Sequence, residues 1–114
     1  MTEQKNLHIL WKDGSVETSR FMVLFYATNS MMNNLWEDIT VILWGAPVKL
    51  AVENEAIQDE MKAAQHVGVK FSACASCARR LGVAEQLEEL GVEVVPWVEP
   101  LTELVKNGQP IIYA

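Results

Sequence analysis

The stretch Gly68-Val69-Lys70-Phe71-Ser72-Ala73-Cys74-Ala75-Ser76-Cys77-Ala78-Arg79-Arg80-Leu81-Gly82-Val83 decides the fold. Its first half is short, apolar and β-branched or aromatic at intervals, which reads as a strand over 69–73 running straight into Cys74. Its second half turns to Ala, Arg and Leu, good helix formers, and reads as a short helix over 76–81 that Gly82 interrupts. A strand that passes into a helix without a linker is half of a β-α-β unit.

Both flanks extend that pattern. Upstream, Ile57, Met61, Ala64 and Val67 recur on one helical face, Asn54 stands ready to cap it, and Gly68 closes it. Before that helix, residues 48–52 suggest a short helical turn after the break Gly45-Ala46-Pro47. Thr40-Val41-Ile42-Leu43-Trp44 is apolar on both faces, as expected of a central parallel strand. Leu7-His8-Ile9-Leu10-Trp11 opens the chain as a strand, Lys12-Asp13-Gly14 turns it, and Ser15 can cap a helix over 16–33. Phe21, Leu24, Phe25, Thr28, Met31, Met32 and Leu35 are spaced by three and four along it, so they are its expected buried face, widened by Val23 and Tyr26. Downstream, a helical piece over 84–90 ends at Gly91, and Val92-Glu93-Val94-Val95 is a fourth strand stopped by Pro96. A last helix over 100–106 stops at Asn107-Gly108, and Pro110-Ile111-Ile112-Tyr113 is a fifth strand. Regular alternation of strand and helix predicts an α/β protein with a five-stranded, mainly parallel sheet and helices on both faces. No repeat, low-complexity tract or linker divides it, and 114 residues fit a single domain over 1–114.

Charge narrows the function. Fifteen acidic residues against nine basic ones leave −6, and Arg79-Arg80 is the only adjacent basic pair, so a nucleic-acid surface is not expected. The longest uninterrupted apolar run, residues 21–27, is far short of the roughly 20 residues that cross a membrane. The opening Met1-Thr2-Glu3-Gln4-Lys5-Asn6 is polar and lacks a signal core, so a cytoplasmic protein is expected. Two cysteines three residues apart do not make a secreted disulfide framework, and they agree with a reducing compartment.

Those two cysteines are the candidate site. In a parallel sheet, reactive groups collect beyond the carboxyl ends of the strands, which is where Cys74 falls. A helix start beside it offers unpaired amides and partial positive charge, both of which favour the nucleophilic thiolate. Arg79, with Arg80, adds positive charge, and Ser76 can hydrogen-bond sulfur or cap the helix. Cys77 fits two roles, a resolving thiol or a helix residue packed inward, and either cysteine could also be a small buried hydrophobe. One C-x-x-C supplies only two of the four ligands of a zinc site, and His8 and His66 read as packed or surface residues, so no metal is expected. The glycines are scattered, without G-x-G-x-x-G or a P-loop, so no nucleotide or other cofactor is expected either. Trp11, Trp44 and Trp97 fall at or just past strand ends. They suit the edge of the core, the surroundings of Cys74, or a subunit interface. Met31 and Met32 read as helix packing.

The helix closed by Gly68, the strand into Cys74, and the short helix ending Leu81-Gly82-Val83 together resemble the DsrE/DsrF-like family, which includes the sulfur-relay subunits of the Tus and Dsr systems. Val41-Ile42-Leu43-Trp44-Gly45 followed by Val48-Lys49-Leu50, and the closing Gly108-Gln109-Pro110-Ile111-Ile112-Tyr113, extend the likeness over about residues 6–114. The resemblance implies a flavodoxin-like three-layer α/β/α domain assembled as trimers or hexamers. It implies a persulfide carried on the strand-end cysteine, exchanged with a protein sulfur donor or acceptor, as in a sulfurtransferase. Only Cys74 matches that position. Cys77 departs from the single-cysteine pattern of the relay subunits, and such a neighbouring thiol could attack the persulfide and release sulfide as a disulfide forms. The residues therefore support three readings: a sulfur carrier on Cys74, a thiol–disulfide redox protein using both cysteines, and a non-catalytic assembly subunit.

Overall fold

The computed structural model describes residues 5–114; residues 1–4, part of the polar opening read above, lie outside the described residues. Five strands form one sheet: β1 (Asn6–Trp11), β2 (Asp38–Leu43), β3 (Lys70–Cys74), β4 (Val92–Val95) and β5 (Ile111–Tyr113). All pair in parallel, in the order β4-β3-β2-β1-β5. The helices are α1 (Val16–Thr18), continued through a π-helical stretch (Ser19–Leu24) into α2 (Phe25–Met32), then α3 (Ala46–Glu53), α4 (Glu55–His66), α5 (Ala75–Leu81), α6 (Ala84–Glu89) and α7 (Val98–Lys106).

The strand order dictates the layers. From β1 to β4 the chain steps one way across the sheet, so right-handed crossovers lay α1 to α6 on one face. The step from β4 to β5 runs back past β1 and leaves α7 on the opposite face. Burial follows this arrangement. Leu7, Ile9 and Trp11 of β1, Ile39, Val41 and Leu43 of β2, and Phe71 and Ala73 of β3 alternate toward the thick side. There they join Val23, Leu24, Ala27, Val48, Ala51, Ile57, Met61, Ala64, Ala78 and Leu87 in one core. The thin side carries α7, which has no fully buried residue.

Local signals behave as their chemistry requires. Ser15 Oγ accepts from the Thr18 amide, and Asn54 Oδ1 accepts from the Ile57 amide. Ile57, Met61 and Ala64 form the inner face of α4. α5 stops where Gly82 turns left-handed at φ 68°.

The first helical run departs from its sequence reading. Phe21, Phe25, Met32 and Leu35 are exposed, and the inward residues are Ser19, Val23, Leu24, Ala27 and Ser30. The buried Trp11 indole sets this phase. Its Nε1 donates to Ser19 Oγ at 2.9 Å, which turns Ser19 inward and the phenylalanines outward. Small Ala27 and Ser30 then let the helix lie close on the sheet. The widened turn shows where the Phe25 amide bonds the Arg20 carbonyl, five residues back.

Candidate functional site

β3 delivers Cys74 to the carboxyl edge of the sheet, in register with Val95 of β4. Cys74 is the N-cap residue of α5 and only 3% exposed. Cys77 follows within the first turn of α5 and is half-buried. Both thiols are free, and Cys74 and Cys77 are neighbours close enough for the Cys74 sulfur to act on the Cys77 thiol. The neighbouring β2–α3 connection completes the arrangement, because Gly45 lines the same cleft as Cys77 and its backbone N–H acts on the Cys77 thiol.

Burial is the largest influence on Cys77 and holds its thiol pKa above the ordinary value. The Gly45 N–H and the Arg80 guanidinium pull it down, while the Cys74 sulfur pushes it up. The cation acting on Cys77 is thus Arg80. Arg79 lies on the other flank of α5, where it lines a cleft with Cys74.

Two cavities open on the cysteine pair from opposite sides of α5. Toward β4, one of about 400 Å³ is lined by Cys74, Ser76, Arg79, Trp97 and Glu99, among others. Toward β2, one of about 290 Å³ is lined by Gly45, Ala46, Lys49, Cys77, Arg80 and Leu81. Trp97 walls the first. Its Nε1 donates to Ser72 Oγ at 2.7 Å, Ser72 donates onward to the Glu93 carbonyl at 3.0 Å, and its ring meets His8 edge-on at 6.1 Å.

Of the four residues singled out from sequence, the structure brings Cys74, Ser76 and Arg79 to one cleft and turns Cys77 into the other. Sequence reasoning missed Gly45 and Lys49, which only the adjacency of β2 and β3 brings to the site. A strand ending in Gly-Ala-Pro one position away from the cysteine strand was the available signal. Among the tryptophans, Trp97 borders Cys74, whereas Trp11 belongs to the core. Among the described residues no group of three or more His, Cys, Asp or Glu side chains is placed to hold a metal ion. No helix there is long and apolar enough to cross a membrane.

A parallel three-layer α/β domain with a cysteine pair at the carboxyl edge of its third strand defines the class. The chain belongs to the DsrE/DsrF-like family, whose model matches residues 6–112. A conserved protein of unknown function from Bacteroides thetaiotaomicron is similar in structure, with 36% identity, a TM-score of 0.93, and 96% of this chain and 95% of that one covered. Two more distant structures share the fold. A protein of unknown function from Methanobacterium thermoautotrophicum is 19% identical with a TM-score of 0.79, covering 97% of this chain and 100% of its own. The ychN protein from E. coli is 18% identical with a TM-score of 0.75, covering 98% and 100%. No curated protein matches the sequence.

Proposed function

We propose that this protein is a small sulfurtransferase-type relay protein that holds persulfide sulfur on Cys74 and passes it to a protein partner. Membership of the DsrE/DsrF-like family supports a sulfur-relay role. The observation that carries the reading to particular residues is the pair of free cysteines at a strand end, each lining its own cleft. A thiolate attacks the outer sulfur of a persulfide, the S–S bond breaks, and the donor leaves as a thiol. A buried resting site such as Cys74 shields the product from oxidants and stray thiols. A relay that works through free thiols suits a reducing compartment, and we place it in the cytoplasm.

Incubation with a persulfide donor, alkylation, and peptide mass spectrometry provide the test. The expected result is a gain of one sulfur atom that comes to rest on Cys74. A protein whose cysteines never gain sulfur would sink the proposal.

The cysteine pair also favours a second reading, a dithiol–disulfide couple between Cys74 and Cys77. A measurable reduction potential for the pair, with activity lost in either single variant, is its signature. Failure to form the intramolecular disulfide removes it.

The exposed stripe of Phe21, Phe25 and Met32 supports self-assembly, with a trimer or hexamer expected, since large apolar side chains grouped on a surface mark interfaces. Light scattering during size-exclusion chromatography tests it; a monomer at micromolar concentration would refute it.

A further inference from the structure

Resting on that reading of Cys74, we propose that the protein loads through Cys77 and unloads through Cys74, so that sulfur crosses from one side of α5 to the other. The donor is a low-molecular-weight persulfide carrying negative charge.

Accessibility separates the two thiols. Cys74 is only 3% exposed, whereas Cys77 is half-buried and lines the cleft toward β2. A donor must bring its outer sulfur into contact with the attacking thiol, and Cys77 is the more exposed of the two. That cleft, of about 290 Å³, has room for a small molecule. Its surface is almost wholly apolar; the charged residues that contribute to it are Lys49 and Arg80, and no carboxylate does, although the whole chain carries −6. Two cations at an apolar cleft favour a small donor that carries negative charge.

The chemistry closes without an added oxidant or reductant. Cys77 attacks the outer sulfur of R–S–SH; the S–S bond breaks, and R–S⁻ leaves with the Cys77 proton as R–SH. Cys74, the N-cap residue of α5 and about one helical turn from Cys77, then attacks the outer sulfur of the Cys77 persulfide. The new S–S bond forms on Cys74, the old one breaks, and the Cys74 proton returns the Cys77 thiol. Adding one sulfur extends the Cys74 side chain by about 2 Å, the length of an S–S bond. That extension carries the reactive atom beyond the buried thiol position, toward the cleft lined by Ser76, Arg79 and Trp97.

Glutathione persulfide is the probe, with sulfur gain followed over time at each cysteine. The wild-type protein is expected to show sulfur first on Cys77 and then on Cys74. Cys74→Ser should stop with sulfur on Cys77, and Cys77→Ser should leave Cys74 unloaded over the wild-type loading time. Lys49→Glu keeps both thiols and keeps Arg80, the cation that acts on Cys77, and changes one exposed side chain; it should slow loading about threefold or more. The same variant should be slowed less with benzyl persulfide, whose organic part is uncharged. Wild-type-rate loading of Cys74 in Cys77→Ser, or no effect of the charge reversal, overturns the two-cleft path while leaving the carrier reading standing. Absence of sulfur from both cysteines of the wild-type protein overturns the carrier reading itself.

Discussion

Trp97 donates its indole N–H to the hydroxyl of Ser72 at 2.7 Å, and this bond joins the loop after β4 to the strand that ends in Cys74. Both side chains are buried, and Ser72 passes the chain of hydrogen bonds on to the Glu93 carbonyl. The wall of the Cys74 cleft is therefore fastened to the same strand that positions the sulfur.

Ser72→Ala leaves the Trp97 N–H buried without its acceptor, which costs about 1 to 3 kcal/mol. Trp97→Phe removes donor and ring edge together and leaves Ser72 its bond to Glu93, so the loss should fall at the low end for hydrogen bonding, plus a packing term. Urea denaturation of both variants measures this. A Ser72→Ala protein as stable as the wild type would show that the bond does not hold the loop.

Gly45 adopts φ 77° and ψ −130°, a region that residues with a side chain rarely enter. A Cβ there meets nothing within 4 Å, so the obstacle is the backbone conformation and not crowding. Gly45→Ala should cost about 1 to 3 kcal/mol. If the loop relaxes, the Gly45 N–H leaves the Cys77 sulfur. Losing that donor raises the Cys77 pKa further, so the pH at which iodoacetamide half-reacts with Cys77 should move to more alkaline values. An unchanged alkylation profile in a destabilised variant would show that this N–H has no hold on the thiol.

The elements were legible where burial is strong. Residues 40–44 read as a central strand because Val41, Ile42 and Leu43 are apolar on both faces, and all three are fully buried in β2, the middle strand. Asn54 and Ile57 announced α4 through a cap and a periodic face. Cys74 was placed at the end of a strand by local pattern alone. The phase of the first helical run was hidden, because it depends on a contact between Trp11 and Ser19 that hydropathy does not encode. The second cleft was hidden for a similar reason. Gly45 and Lys49 precede Cys77 by about thirty residues, and only the pairing of β2 with β3 brings them beside it.

The Trp11–Ser19 bond should matter as much as its burial suggests. Both residues are fully buried, and Ser19 also donates to the Ser15 carbonyl at 2.6 Å. Ser19→Ala strands the indole N–H in the core and should cost about 1 to 3 kcal/mol. Because Ser19 fixes which side of the run faces inward, the variant should also show faster amide exchange over Ser19–Leu24 than the wild type. Equal exchange there would mean that apolar packing of Val23 and Leu24 alone sets the phase.

His8 provides the pH dependence. It lies on the thin side of the sheet against the Trp97 ring, and burial lowers its pKa from the ordinary 6.5. Burial penalises the charged imidazolium, so the folded chain resists a proton that the unfolded chain accepts. Above pH 6.5 both states hold His8 neutral, and its linkage costs nothing. As pH falls below 6.5 the unfolded state binds the proton first, and stability declines until the lowered folded pKa is reached. A single such group contributes a slope of at most about 1.4 kcal/mol per pH unit. Urea midpoints at pH 7.5 and 5.5 measure the decline, and His8→Gln isolates it from the other titrating groups. The wild-type protein should lose more stability across that interval than His8→Gln does. If the two fall in parallel, protonation of His8 is not coupled to folding.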